Sequence, residues 1–196
     1  GFEVCLKLRE NPITHNIPIV IISARNDVKS KEEGFNVGAV EFFLKPFEKG
    51  ELKRFVEELF TPKKERIASV LLIEDNLISR YNAQYILKRF GYEVLEARNG
   101  KEAEKYANRT DISCIVIELS KPYESVIETI HKFKTHPVFQ YIPVIVCTID
   151  SGREALRSAF NAGATDFVRK PFISEEYLAR IKDAVQQKKS FDDIRQ

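Results

Sequence analysis

Four kinds of side chain in this sequence, placed at the ends of short apolar runs, could do chemistry together. Glu74-Asp75 follow the run 69–73, Glu118 follows 112–117, Thr148 ends 144–148, and Lys170 follows 166–169. Three carboxylates brought together repel one another, and a hard divalent cation of the magnesium kind, bound through carboxylates and water, relieves that repulsion. A lysine and a hydroxyl facing the same point are what a phosphoryl group needs, because phosphoryl transfer depends on positioning and charge neutralisation. Glu74, Asp75 and Glu118 are therefore the candidate metal ligands, and Thr148 and Lys170 the candidate phosphoryl contacts. The last two have counterparts upstream, Ser23 and Lys45, each 125 positions earlier.

That offset is a repeat. Ile17-Pro18 recurs as Ile142-Pro143, Phe35-Asn36 as Phe160-Asn161, Gly38-Ala39 as Gly163-Ala164 and Lys45-Pro46-Phe47 as Lys170-Pro171-Phe172, with ten of thirty-one positions identical between Ile17 and Phe47. Self-similarity at a fixed period marks repeated structural units. The offset maps Gly1 onto Val126, so residues 68 to 125 have no upstream counterpart. The chain is expected to hold the back half of one domain (1–60), whose last helix Pro62 ends, a short polar linker (61–67), a whole second domain (68–188), and the start of a further linker (189–196). It lacks methionine and opens on Gly1, so it reads as a piece of a longer chain.

The elements that position the candidate residues alternate in period. Runs 69–73, 112–117 and 144–148 are continuous and rich in β-branched residues, as strands covered on both faces of a parallel sheet are. Strands 93–97 and 166–169 complete the set. Between them the period becomes helical: Ile78, Tyr81, Tyr85, Ile86 and Phe90 share a face before Gly91, and further helices begin near Lys101 and cover 124–134 and 153–161. The closing helices show Leu52, Phe55, Val56 and Leu59 in the first half, and Leu178, Ile181 and Val185 in the second. Five strands alternating with five helices predict an α/β domain with a doubly wound five-stranded parallel sheet, whose ligands sit outside the carboxyl ends of the strands.

Composition narrows the function. In 196 residues, 31 Lys and Arg against 29 Asp and Glu leave a formal charge of +2, which gives no basic footprint for nucleic acid or an anionic membrane. No apolar run approaches the ~20 residues of a membrane span, and a cytoplasmic location is expected. Cys5, Cys114 and Cys147 sit among aliphatic residues without metal-like spacing and read as buried, reduced thiols. His15, His131 and His136 fall in or near loops and read as solvated. Lys63-Lys64 and Lys188-Lys189 are too short for a nucleic-acid patch.

With these residues in view, both repeats resemble receiver domains of two-component response regulators, the CheY-like family of flavodoxin-like fold whose members accept a phosphoryl group on an aspartate from a histidine kinase. Ile73-Glu74-Asp75-Asn76 resembles the acidic pair, Gly91-Tyr92-Glu93-Val94 and Ala97-Arg98-Asn99-Gly100 the two ends of the second strand, Thr148 and Ser23 the switch hydroxyl, Phe167 and Phe42 the switch aromatic, and Lys170-Pro171-Phe172 and Lys45-Pro46-Phe47 the lysine and its proline. The resemblance implies the strand order 2-1-3-4-5 and magnesium at the acidic site. The proline four residues beyond the acceptor is matched by Pro122, which places the acceptor at 118, where this chain has Glu. The added methylene moves the carboxylate about 1.5 Å into the pocket, and in-line attack tolerates misplacement poorly. Ser120-Lys121 and Tyr123-Glu124-Ser125 also depart from the usual acceptor loop, so magnesium binding is expected to be weak.

The resulting expectation is a non-enzymatic tandem receiver module whose second domain is a pseudo-receiver acting as adaptor and dimerisation element. A histidine kinase or phosphotransfer protein would be the partner through the first receiver, a homodimer is expected, and no direct contact with nucleic acid or membrane is. The alternative is the receiver portion of a hybrid histidine kinase, of a diguanylate cyclase or of another output enzyme lying outside the fragment. A small-molecule-binding flavodoxin-like domain is disfavoured because Asp75-Asn76-Leu77-Ile78 leaves no room for a glycine-rich phosphate loop. The half-domain is expected to have its missing strands supplied, either upstream of Gly1 or by a neighbouring chain.

Overall fold

The computed structural model describes the chain except residues 16, 26, 62–65, 150–152, 171–173 and 196, and of residues 28, 32, 35 and 58 it describes the backbone alone. Pro62, Pro171 and Phe172, singled out above, lie outside the described residues. By packing, the chain divides into one unit of residues 1–65 and 76–91 and another of residues 66–75 and 92–196.

The first unit runs α1 (Phe2–Glu10), β1 (Ile19–Ser23), α2 (Val28–Asn36), β2 (Ala39–Leu44) and α3 (Glu51–Phe60), and takes in α4 (Leu77–Arg89) from further along. β1 and β2 form a two-stranded parallel sheet. Val40, Phe43 and Phe55 make a buried cluster, with Leu52 and Leu59 of α3 packed against them as the periodicity predicts, whereas Val56 is exposed. Two aromatic residues of α4 finish the cluster: Tyr81 and Tyr85 lie stacked, centroids 6.3 Å apart, against the same core. The sequence puts α4 within the domain 68–188, but by packing it belongs with this unit, because its tyrosines cover the apolar Val40, Phe43 and Phe55. Arg89 lies over the Phe55 ring at 4.5 Å, and Arg9 over the Tyr81 ring at 4.4 Å.

The second unit contains β3 (Ser69–Ile73), β4 (Glu93–Ala97), α5 (Gly100–Ala103) with a 3-10 turn after it, β5 (Ile112–Glu118), α6 (Tyr123–Thr135), β6 (Val144–Thr148), α7 (Arg153–Asn161), β7 (Asp166–Arg169) and α8 (Ser174–Arg195). Its five strands are parallel in the order β4-β3-β5-β6-β7, which is the expected 2-1-3-4-5. Every residue of β3 and of β6 is buried, as central strands covered on both faces must be. Leu71, Ile115 and Val146 lie in this core with Ile130 and Phe133 of α6. α8 buries Tyr177, Ile181 and Ala184, leaving Leu178 and Val185 half-buried. Residues 189–195, expected as linker, continue α8 as helix. Phe191 stacks on Tyr141 at 5.0 Å, Arg195 lies 4.3 Å over the same ring, and Lys188 pairs with Asp192, so the last turns have contacts to hold them.

The repeat is legible in the bonding of each unit taken separately. Ile21 pairs with Phe42 and Ser23 with Leu44, while Val146 pairs with Phe167 and Thr148 with Arg169, the same register 125 positions on. Arg9 donates from Nη1 to the carbonyls of His15 and Ile17 at 2.7 and 2.6 Å; Lys134 donates from Nζ to those of Gln140 and Ile142 at 3.5 and 2.7 Å. A cation leaving a helix end thus satisfies the carbonyls of the approach to the next strand in both units, although one is Arg and the other Lys. Gly38 and Gly163 allow it. Both have positive φ, +95° and +111°, and a Cβ would come within 2.6 Å of Arg9 Nε at one and 2.5 Å of Lys134 Cγ at the other. The flanks of the two inner strands differ. β6 is bordered by β5 and β7, whereas β1 pairs with β2 alone among the described residues, and Ile22 is 39% exposed where its counterpart Cys147 is 3%.

Candidate functional site

Backbone bonds prolong the sheet past the strand ends that carry the candidate residues of the second unit. Glu74 N–H donates to Ala97 O at 3.0 Å, Leu119 N–H to Cys147 O at 2.7 Å, and Lys170 N–H to Thr148 O at 2.8 Å. The carboxyl ends of β3, β5, β6 and β7 thereby deliver Glu74, Glu118, Thr148 and Lys170 to one end of the sheet, where an open α/β sheet places its ligands.

There the side chains meet. Ligand oxygens of Glu74, Asp75 and Glu118 lie within 4.8 Å of one another. Lys170 Nζ bonds the Glu118 carboxylate at 2.7 Å and also that of Glu74, with side-chain exposures of 10%, 12% and 4% for the lysine, Glu118 and Glu74. Burial, a hydrogen bond to Glu118 and the Glu118 charge push the Glu74 carboxyl up to about 8 against the opposing pull of Lys170. Burial also works against the Glu118 carboxylate, but bonds from Glu74, Lys170 and Asp75 outweigh it and hold its pKa below the ordinary value. The Lys170 ammonium is held charged for the converse reason, its burial outweighed by the two glutamates. Glu74 is thus held toward its neutral form and Glu118 toward its charged form, with the Lys170 ammonium between them.

Thr148, fully buried at the end of β6, donates its hydroxyl to Leu119 O at 3.0 Å. Phe167 packs edge-on against Phe160, centroids 6.2 Å apart, at the margin of the core. In the first unit Ser23 Oγ accepts from Arg25 N–H at 3.0 Å, Phe42 is half-buried on β2, and Lys45 is exposed, its N–H donating to Ser23 O at 2.7 Å. No carboxylate cluster of the kind around Lys170 occurs in that unit among the described residues. Lys121-Pro122 and Lys45-Pro46 are cis.

The three thiols are free and buried, as expected, and burial pushes the Cys147 thiol up to about 12. His131 is exposed on α6, as a solvated side chain should be. His15 and His136 lie in a turn and at the end of α6, but both are half-buried and bonded to local backbone: His136 Nδ1 accepts from Val138 N–H at 3.2 Å, and His15 Nδ1 bonds Pro12 O at 2.8 Å.

Beside the acidic group opens a cavity of about 450 Å³ whose wall includes Arg98, Lys101 and Lys121. In sequence these three mark the exit of the second strand, a helix start and the acceptor loop, and their convergence on one cavity is not legible there.

A family model described as response regulator receiver domain matches residues 1–57 and 70–182. The transcriptional regulatory protein PhoP of Escherichia coli strain K12 is 30% identical over 113 residues, which are 58% of this chain and 50% of that protein. CrdR of Helicobacter pylori, also a transcriptional regulatory protein, is 32% identical over 113 residues, 58% of this chain and 53% of CrdR. The chain spans about half the length of the curated relatives it matches. The solved signal receiver domain of a signal transduction histidine kinase from Syntrophus aciditrophicus is 26% identical with a TM-score of 0.55, covering 61% of this chain and 90% of that domain. Strand order, strand-end chemistry and a family match in two segments agree, and the chain belongs to the response regulator receiver domain family.

Proposed function

We propose that the second unit is a pseudo-receiver: a signalling module of two-component systems that works by docking and not by taking up a phosphoryl group. The observation that carries this is Glu118 at the position of the acceptor, its carboxylate bonded by Lys170 at 2.7 Å. The longer side chain brings the carboxylate into the space a phosphoryl group would occupy, and the lysine that would meet the phosphoryl oxygens meets Glu118 instead. Thr148 is bonded to Leu119 O, so its hydroxyl is engaged within the chain as well.

The donor set suits a hard divalent ion, with Glu74, Asp75 and Glu118 converging. Magnesium held there would neutralise their charge. Lys170 already bonds two of the three, so binding is proposed to be weak.

Residues 1–60 are proposed as the C-terminal half of a first receiver and 68–188 as a second, supported by the shared register and carbonyl-capping cations 125 positions apart. A histidine kinase or phosphotransfer protein is the proposed partner of the first, and a homodimer the proposed assembly. The likeness to a histidine kinase receiver supports a second reading, the receiver portion of a hybrid histidine kinase.

Incubation of the chain with acetyl phosphate and magnesium, followed by intact-mass measurement, tests the pseudo-receiver. No phosphate is expected on the wild type, and Glu118→Asp is expected to gain uptake. An acid-sensitive mass increase of one phosphate at wild-type Glu118 would overturn the proposal.

A further inference from the structure

The second unit shows what borders an inner strand of this repeat on each side. β6 takes β7 on one edge and β5 on the other, where Cys147 O accepts the N–H of Leu119 at 2.7 Å and Pro143 O that of Ile115 at 2.9 Å. Carried back 125 positions, those carbonyls are Ile22 O and Pro18 O, on the edge of β1 away from β2. No strand lies there among the described residues. An open edge on an apolar strand is a template for a further strand, and charge or proline are the usual means of blunting it. Ile19–Ser23 carries neither, and none of its five residues is fully buried.

The lysines at the strand ends differ in the same sense. Lys170 and Lys45 occupy equivalent places and donate their N–H to Thr148 O and Ser23 O at 2.8 and 2.7 Å. Lys170 is buried against Glu118, which ends β5 and pairs in register with Cys147. Lys45 is exposed and has no ion pair among the described residues. An apolar edge and an unneutralised cation at its carboxyl end are two parts of one complementary surface.

We infer that the open edge of β1 is a docking site for one further parallel strand, apolar along its length and ending in a carboxylate that Lys45 receives beside Ser23. The occupant is a partner segment with the chemistry of β5, in which Ile115, Val116 and Ile117 face Val144, Ile145 and Val146, and Glu118 faces Cys147. The same register sets its apolar residues against Ile19, Val20 and Ile21 and its carboxylate against Ile22. Main-chain bonds supply the affinity, and the ion pair with Lys45 fixes the register. A second copy of this chain fits less well, because its β5 is held between β3 and β6 and its β1 ends in Ser23, not in a carboxylate. The inference rests on the reading of residues 1–60 as half a receiver and adds the chemistry of what docks there.

Amide exchange of the full chain under reducing conditions, with and without a synthetic peptide of sequence 111–121, tests it, together with the fluorescence anisotropy of the labelled peptide. Saturable binding is expected, with exchange slowed in Ile19–Ser23 and unchanged in Val144–Thr148. Lys45→Met in the chain and Glu118→Gln in the peptide are each expected to weaken binding about tenfold, in keeping with a charge-assisted contact. Combined, they should cost little more than either alone, since both remove one ion pair. Ile22→Glu, at an exposed position, sets like charges opposite one another and is expected to abolish binding while leaving exchange in Ala39–Leu44 as it was. No saturable binding, or unchanged affinity in Lys45→Met, overturns the inference and leaves the half-receiver reading standing. Equal binding of a scrambled peptide overturns both, because the edge then carries no receiver-like register. Exchange in Ile19–Ser23 that slows with chain concentration alone makes a second copy the occupant and overturns the inference as well.

Discussion

The Lys170 ammonium lies 2.7 Å from the Glu118 carboxylate in a pocket that leaves only about a tenth of either side chain exposed. It bonds Glu74 at the same time, so one cation serves two buried carboxyls 52 and 96 positions away in sequence. Removing one partner of a buried ion pair leaves a charge without compensation, which costs about 3–5 kcal/mol. Lys170→Met is expected to destabilise the second unit by that order in urea melts. Lys170→Met with Glu118→Gln should recover part of the loss, because the stranded charge goes with the partner. An unchanged midpoint in the single variant would refute the pairing.

A second network lies at the opposite, amino ends of β3, β4 and β5. Arg109 bonds Asp111 at 2.6 Å and Glu93 at 3.2 Å, and Arg66 bonds both acids. Hydrogen bonds from Arg109 first, and further ones from Arg66 and Ser69, hold the Asp111 carboxyl well below the usual carboxylate range against the opposing effect of burial. A depressed folded-state pKa stabilises above the unfolded value of about 3.9 and is lost as the pH falls through the folded value. Thermal melts should therefore show Asp111→Asn less stable than wild type at neutral pH and the difference shrinking steadily below about pH 4. A gap that stays constant down to pH 2 or so would exclude the linkage.

The two positive-φ glycines give a paired test. Gly38→Ala and Gly163→Ala each add a Cβ in left-handed backbone and push it into Arg9 or Lys134. A loss of about 1–3 kcal/mol is expected at each site. Amide exchange should localise it, raising exchange in Ile19–Ser23 for the first variant and in Val144–Thr148 for the second. Exchange that rises equally in both strands for either variant would contradict the separate roles.

In the first unit, Phe55 meets Phe43 edge-on at 5.3 Å and carries the Arg89 guanidinium over its ring at 4.5 Å. Truncation of a buried phenylalanine costs about 3–5 kcal/mol. Phe55→Ala is expected to lower amide protection strongly in β1 and β2, since Val40 and Phe43 of β2 form one buried cluster with Phe55. Phe60→Ala, an exposed residue on the same helix, should change protection little. Retained protection in Phe55→Ala would mean that this cluster does not hold β1 and β2 together.

Much of this was legible in the residues themselves. Continuous β-branched runs mark buried parallel strands because both faces are covered, and β3, β4, β6 and β7 fall on the residues so assigned, with β5 one residue longer. The 125-residue offset anticipated a shared register because strand pairing follows the apolar pattern. The convergence of Glu74, Glu118, Thr148 and Lys170 followed from the rule that strand ends carry ligands in open α/β sheets. Tertiary structure decided the rest. Periodicity shows that Tyr81 and Tyr85 share a helical face, but not which core that face covers, since an amphipathic stripe is complementary to any apolar cluster of suitable shape. That Lys170 bridges two glutamates, and that Arg98, Lys101 and Lys121 border one cavity, depends on which loops approach across the sheet end. Such distances are set by side-chain packing between segments far apart in the chain, and local spacing carries no record of them.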